Sequence, residues 1–307
     1  MFEKRLVRVL TESKYKKLEK FYIITNRKSN REIYFKNSKD SLDFIKPKFK
    51  SPLKKKAYLL IKRGFLQLFL KKIYLPKNIS AVFIGEQIKC FDLKNKKVYS
   101  FPLFLNNNKD FINKKIFQKK VAEEGFAPKI MKIDLNIPFS VEELLPEYPK
   151  NKINHLFRKL VRLYNSKGIK KISYKKYKLF LLKKMKKNIN NDPFIENILS
   201  KINFNERLLI VQAHGDFSDS QVLIKNGEPV FVDWNPKRSL ITEDLVNFFR
   251  LKKDFFYSDD FETILRLYPI EVKDNIKEYV ILTEIERMIN EKSNYEKSKE
   301  IIQELIN

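Results

Sequence analysis

The sequence predicts an α+β protein of bilobal build: a small antiparallel sheet with one helix, then a mainly helical lobe, preceded by a basic extension. Three observations carry this. Between Ile79 and Leu145, short strand patterns surround one helical pattern in the order three strands, helix, two strands. Beyond Pro146 the apolar spacing is mostly that of helices. Inside that helical part stands a hairpin signal, Asn226-Gly227 between two short apolar runs. The expected divisions are therefore 1–79, 80–146 and 147–307.

Composition narrows the chemistry. With 307 residues, 43% hydrophobic and 13% aromatic, the chain can bury a substantial core. Cys90 is the one cysteine, which excludes an internal disulfide and a cysteine-rich zinc site. His155 and His214 are the two histidines, too few for a histidine-based metal site. The opening MFEKRLVRVLTESKYKK holds no apolar segment of signal-peptide length, and no run reaches the ~18–20 apolar residues of a membrane span. A cytoplasmic location, with ATP within reach, is the expectation.

The net charge of +27 is unevenly spread. Phe44 to Gly85 holds eleven Lys or Arg and no acid, and Tyr148 to Asn191 holds fifteen and no acid. Such blocks draw anions: lipid headgroups, acidic glycans, nucleotides or nucleic acid. Nucleic acid has charge alone in its favour, with no recognition motif beside it.

In the extension, Lys20 to Thr25 and Arg31 to Phe35 read as a hairpin across Asn26-Arg-Lys-Ser-Asn. Lys54 to Leu75 reads as a helix ending near Pro76, with Tyr58, Ile61, Phe65, Leu68 and Phe69 on one stripe. Two readings of it stand: an interfacial helix with lysines on anionic headgroups, placing the protein peripherally at the inner face of the membrane, or a core helix whose lysines reach solvent.

Strands are expected at Ser80 to Gly85, Gln87 to Leu93 and Lys97 to Leu103, the last two joined across Lys94-Asn95-Lys96. A helix over Asp110 to Gly125 follows, stopped by Gly125 and Pro128. Strands over Ile130 to Ile133 and Phe139 to Leu145 close the sheet, with Glu142 and Glu143 read as solvated acids. Helices are expected at Ile153 to Ser166, Tyr174 to Lys187, Pro193 to Ile202, Glu278 to Met288 and Ser293 to Ile306. Lysines and the aromatics Tyr164, Tyr174, Tyr177 and Phe180 interleave there, a composition suited to sugars, acidic groups or nucleic acid, or to an ordinary solvated basic face.

The stretch Val211 to Pro236, VQAHGDFSDSQVLIKNGEPVFVDWNP, concentrates the chemistry. Apolar runs Gln221 to Lys225 and Pro229 to Asp233 flank the Asn-Gly turn, and a folded hairpin brings its ends together. Asp216, Gln221 and Asp233 can then converge. Two acids and an amide oxygen suit a hard cation such as Mg2+.

These residues resemble the aminoglycoside phosphotransferase and choline kinase group, the small-molecule branch of the protein-kinase-like fold. That group carries His-Gly-Asp, four residues, then Asn, and Asp-Trp or Asp-Phe after a hairpin. Here His214-Gly215-Asp216 is intact, Gln221 stands at the Asn position, and Asp233-Trp234 closes the set. The resemblance implies that Asp216 accepts or orients the proton of a substrate hydroxyl, and that Gln221 and Asp233 hold Mg2+ on the phosphates of ATP. It also implies that Gly125-Phe-Ala-Pro-Lys-Ile leads toward a hinge whose backbone near Glu143 and Leu145 meets adenine, and that Glu243-Asp244-Leu245 begins a helix supporting the metal-binding loop.

The chain departs from that pattern in its first lobe. The group's third strand carries a lysine for the phosphates, oriented by a glutamate on the helix. Here Ser100 falls at the lysine position and no acid occurs at Asn113 to Lys115, which leaves Lys89 or Lys97 as alternatives. Gly85 is the sole glycine where a glycine-rich loop would lie. The expected function is an ATP- and Mg-dependent phosphotransferase acting on a hydroxyl of a small molecule, a sugar or a glycolipid or cell-surface glycan precursor. The alternative is a catalytically idle kinase fold that binds an anionic membrane or glycan. Oligomeric state has no signal in the sequence.

Overall fold

The computed structural model describes residues 18–26, 31–46, 58–59 and 72–306, apart from 86, 104–107, 137, 150–151, 203, 205–206 and 251–257. The chain divides into two compact units, Met1–Pro146 and Glu147–Asn307.

Unit 1 is built on eight strands: β1 (Leu18–Asn26), β2 (Arg31–Phe35), β3 (Lys72–Pro76), β4 (Ala81–Ile84), β5 (Gln87–Asp92), β6 (Lys97–Pro102), β7 (Ile130–Asp134) and β8 (Phe139–Glu143). They form one sheet in the order β3-β1-β2-β4-β5-β6-β8-β7, every neighbouring pair antiparallel. Among the described residues, α1 (Lys39–Ile45) and α2 (Asn108–Glu123) accompany them.

Period-two alternation gives each strand two faces, and both are covered. Val82, Ile88, Cys90, Phe101, Phe139 and Val141 join Phe21, Ile23 and Leu75 in one buried cluster. Phe35, Ala81 and Phe91 pack on the other side with Leu42 and Ile45 of α1 and with Tyr58. A sheet buried on both faces fits the many apolar positions of these strands.

Local chemistry explains the connections. Asp92 ends β5 by accepting the Asn95 backbone N–H at 3.0 Å and the Asn95 amide at 2.8 Å, which turns the chain into β6. At the end of α2, Gly125 takes φ +81° while the N–H of Phe126 bonds the Val121 carbonyl at 2.9 Å, a left-handed glycine stop.

Two sequence readings change here. The helix expected over 54–75 lies largely outside the described residues, and its last four positions belong to β3, paired antiparallel with β1. Residues 18–76, expected as an extension ahead of the sheet, supply three of its strands. The hairpin of β1 with β2 formed where the sequence placed it, whereas β1 with β3 and β2 with β4 join strands distant in sequence, and no local pattern announces those pairings.

Unit 2 contains α3 (Ile153–Lys167), β9 (Lys170–Ser173), α4 (Tyr174–Asn188), α5 (Pro193–Lys201), β10 (Arg207–Ala213), β11 (Val222–Lys225), β12 (Glu228–Phe231), β13 (Lys237–Leu240), α6 (Glu243–Phe249), α7 (Asp259–Leu265), α8 (Ile270–Lys273), α9 (Ile276–Asn290) and α10 (Tyr295–Ile306). Strands β13, β10 and β9 form one sheet, while β11 and β12 form a hairpin.

Helix α9 is buried from Tyr279 through Ile289, including Glu284, Glu286 and Arg287. Those charges are matched. Arg287 bridges Glu284 at 3.1 Å and Glu243 at 3.4 Å, and Tyr177 donates to Glu286 at 2.6 Å. Burial of a charge is tolerable only with such partners. Among the described residues, no helix is long and apolar enough to cross a membrane.

Candidate functional site

Strand β10 runs apolar through the core of unit 2 and delivers His214-Gly215-Asp216 at its end. Asp244, at the start of α6, holds this loop from below. Its Oδ2 accepts the His214 backbone N–H at 2.7 Å and the Tyr164 hydroxyl at 2.8 Å, and its Oδ1 accepts the Gly215 N–H at 2.9 Å. Burial raises the pKa of Asp244, an effect tempered by His214 and the two backbone donors. In the helix that the resemblance gives as supporting the metal-binding loop, Asp244 holds the His-Gly-Asp loop and Glu243 bonds Lys237 at 2.9 Å and Ser239 at 3.0 Å.

His214 is the hub of the site. Its ring is fully buried, 4.6 Å from the Trp234 ring and 5.5 Å from that of Phe217. Burial lowers its pKa, against the opposing pull of Asp244, the Val232 carbonyl, Asp233 and Asp216, so the imidazole is neutral at pH 7. Nε2 lies 2.8 Å from the Val232 carbonyl, which can only accept, so Nε2 carries the proton. Asp216 and Asp233 both exert an electrostatic pull on this ring.

A second strap joins the loops: the Asn235 N–H donates to the His214 carbonyl at 3.0 Å. This close approach explains Gly215. Its φ is +89°, and a Cβ there would lie 2.0 Å from the Asn235 carbonyl oxygen. No side chain fits.

The hairpin forms at Asn226-Gly227, with φ of 53° and 83°, the pair of positive angles a type I′ turn requires. Its strands are shorter than expected. Gln221 closes a 3₁₀ turn (Asp219–Gln221) ahead of β11, and Asp233 lies two residues past β12. Asp233 has φ +60°, a left-handed conformation unusual outside glycine. It is fixed from both sides, by Val232 N–H to the Gln221 carbonyl at 2.9 Å and by the Asn235 strap. Backbone strain of this kind gathers at functional sites.

Gln221 meets Asp216 directly: its Nε2 donates to Oδ2 at 2.9 Å, and its Oε1 accepts the Ser218 hydroxyl at 3.1 Å. The carboxylate can only accept, which sets the orientation of the amide. The second lone pair of the Gln221 oxygen could serve a cation. Among the described residues no group of three or more His, Cys, Asp or Glu side chains could hold a metal ion, so the candidate set is two carboxylates with one amide. Its oxygens suit Mg2+.

Glu143 and Leu145 belong to unit 1, at the end of β8 and just beyond it. The Glu143 N–H is committed to the Lys129 carbonyl at 3.0 Å. Glu142, expected to be solvated, is buried against Lys115 at 2.6 Å, because its position on β8 points it into the sheet face that α2 covers. Tyr164 and Tyr177, grouped with possible sugar-facing aromatics, are buried and spend their hydroxyls on Asp244 and Glu286.

No family model matches this sequence, and no curated protein matches it. Among solved structures, it is similar to a choline/ethanolamine kinase family protein from Mesorhizobium loti, at 11% identity over 72% of this chain and 84% of that one, with a TM-score of 0.49. It is likewise similar to choline kinase LicA from Streptococcus pneumoniae, at 14% identity over 82% of this chain and 98% of the other, TM-score 0.48. A glucosamine kinase in complex with glucosamine, ADP and inorganic phosphate matches at 12% identity, covering 73% and 78% of the two chains, TM-score 0.41.

Proposed function

We propose that this protein is an ATP- and Mg-dependent phosphotransferase that phosphorylates a hydroxyl of a small molecule. The observation that carries the reading is the bond of Gln221 to Asp216 in loops cross-strapped on either side of Asp233, where Val232 bonds Gln221 and His214 and Asn235 bonds His214. Phosphoryl transfer asks little of a protein beyond positioning and charge neutralisation, and this arrangement can provide both.

Asp216 orients the acceptor hydroxyl and takes its proton late in the transfer, when bonding to phosphorus has acidified it. Gln221 tethers that carboxylate through its amide. Asp233, with the Gln221 oxygen, would hold Mg2+, which neutralises phosphate charge when bound. At the hinge, with the Glu143 N–H already committed, Leu145 is the residue left to offer a backbone donor to adenine.

A sugar or glycan precursor is the acceptor class we favour, because basic faces suit an anionic saccharide. On α4, Lys175, Lys176, Lys183, Lys186 and Lys187 are exposed beside exposed Leu179 and Phe180. This face would also suit peripheral contact with an anionic membrane. Nucleic acid is not part of the proposal.

The test is Asp216→Asn, which keeps shape and hydrogen bonding but removes the base. It should bind MgATP by calorimetry as the wild type does, yet lose about 10²–10⁴ in transfer to a panel of sugars, amino alcohols and glycolipid extracts. Wild-type transfer by the variant would refute the role of Asp216. A wild-type protein that transfers to none of the panel would favour an idle fold, the reading that Ser100 and the missing glycine-rich loop already invite.

A further inference from the structure

Two adjacent carboxylates open α6, and each holds a different loop. Asp244 takes the backbone donors of His214 and Gly215. Glu243 takes the chain that leaves Asp233: its Oε1 accepts from Lys237 Nζ at 2.9 Å and its Oε2 from the Ser239 hydroxyl at 3.0 Å. Lys237 and Ser239 are alternate residues of β13, so both side chains project from one face of the strand and meet Glu243 there.

Glu243 is itself fixed. It is 3% exposed, and its Oε1 also meets Arg287 at 3.4 Å and the Asn247 amide at 3.1 Å. Arg287 stands on the buried helix α9 and bridges Glu284 at 3.1 Å. Burial opposes the charge of Lys237, but Glu243 outweighs it and raises the lysine pKa. Burial likewise opposes the charge of Glu243, and Lys237 with Arg287 outweighs it and lowers the carboxyl pKa. The pair is ionised at pH 7 and anchored in the core of unit 2.

Lys237 also touches the other loop. Its Cγ lies 3.4 Å from the position a Gly215 Cβ would occupy, so its stem runs along the residue before Asp216. On the strand it stands directly opposite Ala213, the residue before His214. The bonds of Val232 to Gln221 and of Asn235 to His214 join the two loops to each other. Lys237 ties that pair of loops to α6 and α9. It does so four residues beyond Asp233, whose φ of +60° must be held by its surroundings.

We infer that Lys237 is a positioning residue for Asp233: held by Glu243, it sets the loop from which that carboxylate meets a divalent cation. This rests on the phosphotransferase reading above, which gives Asp233 to Mg2+, and adds the residue that keeps Asp233 in place.

The experiment measures ATP binding to the full chain by calorimetry, with Mn2+ and with EDTA, beside urea midpoints. The difference between the two affinities reads the metal site without turnover. Lys237→Met keeps the stem and removes the charge, and it leaves Glu243 with Arg287, Ser239 and Asn247, so the variant should stay folded. It should weaken binding of ATP with Mn2+ about 10- to 100-fold, the usual effect of losing a group that orients a metal ligand, and leave binding in EDTA unchanged. Lys237→Arg keeps the charge and should recover most of the loss. Adding Glu243→Gln to Lys237→Met should weaken the metal-dependent part no further, as expected when one residue acts through the other. Wild-type affinity with Mn2+ in Lys237→Met overturns the assignment while the phosphotransferase reading stands. Equal loss with Mn2+ and with EDTA, or a loss that follows a lowered urea midpoint, overturns it as well, because Lys237 would then be structural. If the wild-type chain binds ATP no better with Mn2+ than with EDTA, the metal role of Asp233 in the phosphotransferase reading itself fails and takes the assignment with it.

Discussion

The Gln221 amide donates to Asp216 at 2.9 Å, so the residue at the candidate metal-ligand position also orients the candidate base. Gln221→Asn shortens the side chain by one methylene and should keep a substantial part of the activity. Gln221→Ala should lose most of it, since both the ligand oxygen and the tether disappear. Steady-state kinetics at varied Mg2+ would check this: an alanine variant with wild-type rate and wild-type Mg2+ dependence would remove Gln221 from the site.

Gly215→Ala tests the strap between the two loops. A Cβ 2.0 Å from the Asn235 oxygen, at φ +89°, forces the backbone to shift. The combined steric and conformational cost should be about 2–4 kcal/mol, read as a lower urea midpoint. Activity should fall in the fraction that remains folded, because displacing Asn235 displaces Asp233.

Tyr164→Phe removes one of three donors to the Asp244 carboxylate and leaves the two backbone donors in place. A hydrogen bond to a charged group is worth roughly 1.5–3 kcal/mol, and the loss of stability should fall in that range. Stability unchanged in denaturant melts would show that Asp244 does not depend on Tyr164.

Buried Glu142 predicts acid sensitivity with a definite sign. Despite burial, Lys115 and Lys89 hold the Glu142 carboxyl below its ordinary value of 4.5. A carboxyl depressed in the folded state stabilises above the unfolded value, and that stability is lost as pH falls from about 4.5 through the folded pKa. Glu142→Gln should therefore flatten the acid limb of stability against pH, measured by urea midpoints from pH 7 to pH 3. Lys115→Met leaves the carboxylate buried without its cation and should cost about 3–5 kcal/mol at pH 7.

The basic face of α4 predicts binding to anionic surfaces. Flotation should show the protein on vesicles containing phosphatidylserine and not on phosphatidylcholine alone. Binding should fade toward 1 M salt, where the Debye length is ~3 Å. Lys183→Glu with Lys186→Glu should weaken it. Equal binding to both vesicle types would detach the charge from any such role.

The sequence by itself determined the elements whose signals are local. The Asn226-Gly227 turn needs two positive φ angles, which those two residues adopt readily, and the hairpin formed where it was expected. The helix stop at Gly125 is equally local. His214, Gly215 and Asp216 are consecutive, so their motif could be read without a fold. Only the tertiary structure decided what those residues rest on. Tyr164 reaches Asp244 across 80 positions, and Ser100 reaches Glu142 across 42. Whether Glu142 meets water or Lys115 depends on which face of β8 the helix α2 covers. Strand register sets that face, and a shift of one residue would reverse it. The same holds for Lys89, whose place opposite Ser100 comes from the pairing of β5 with β6. Long-range pairing leaves no periodic mark in a single sequence, because it is selected by the packing of surfaces that do not exist until the chain has folded.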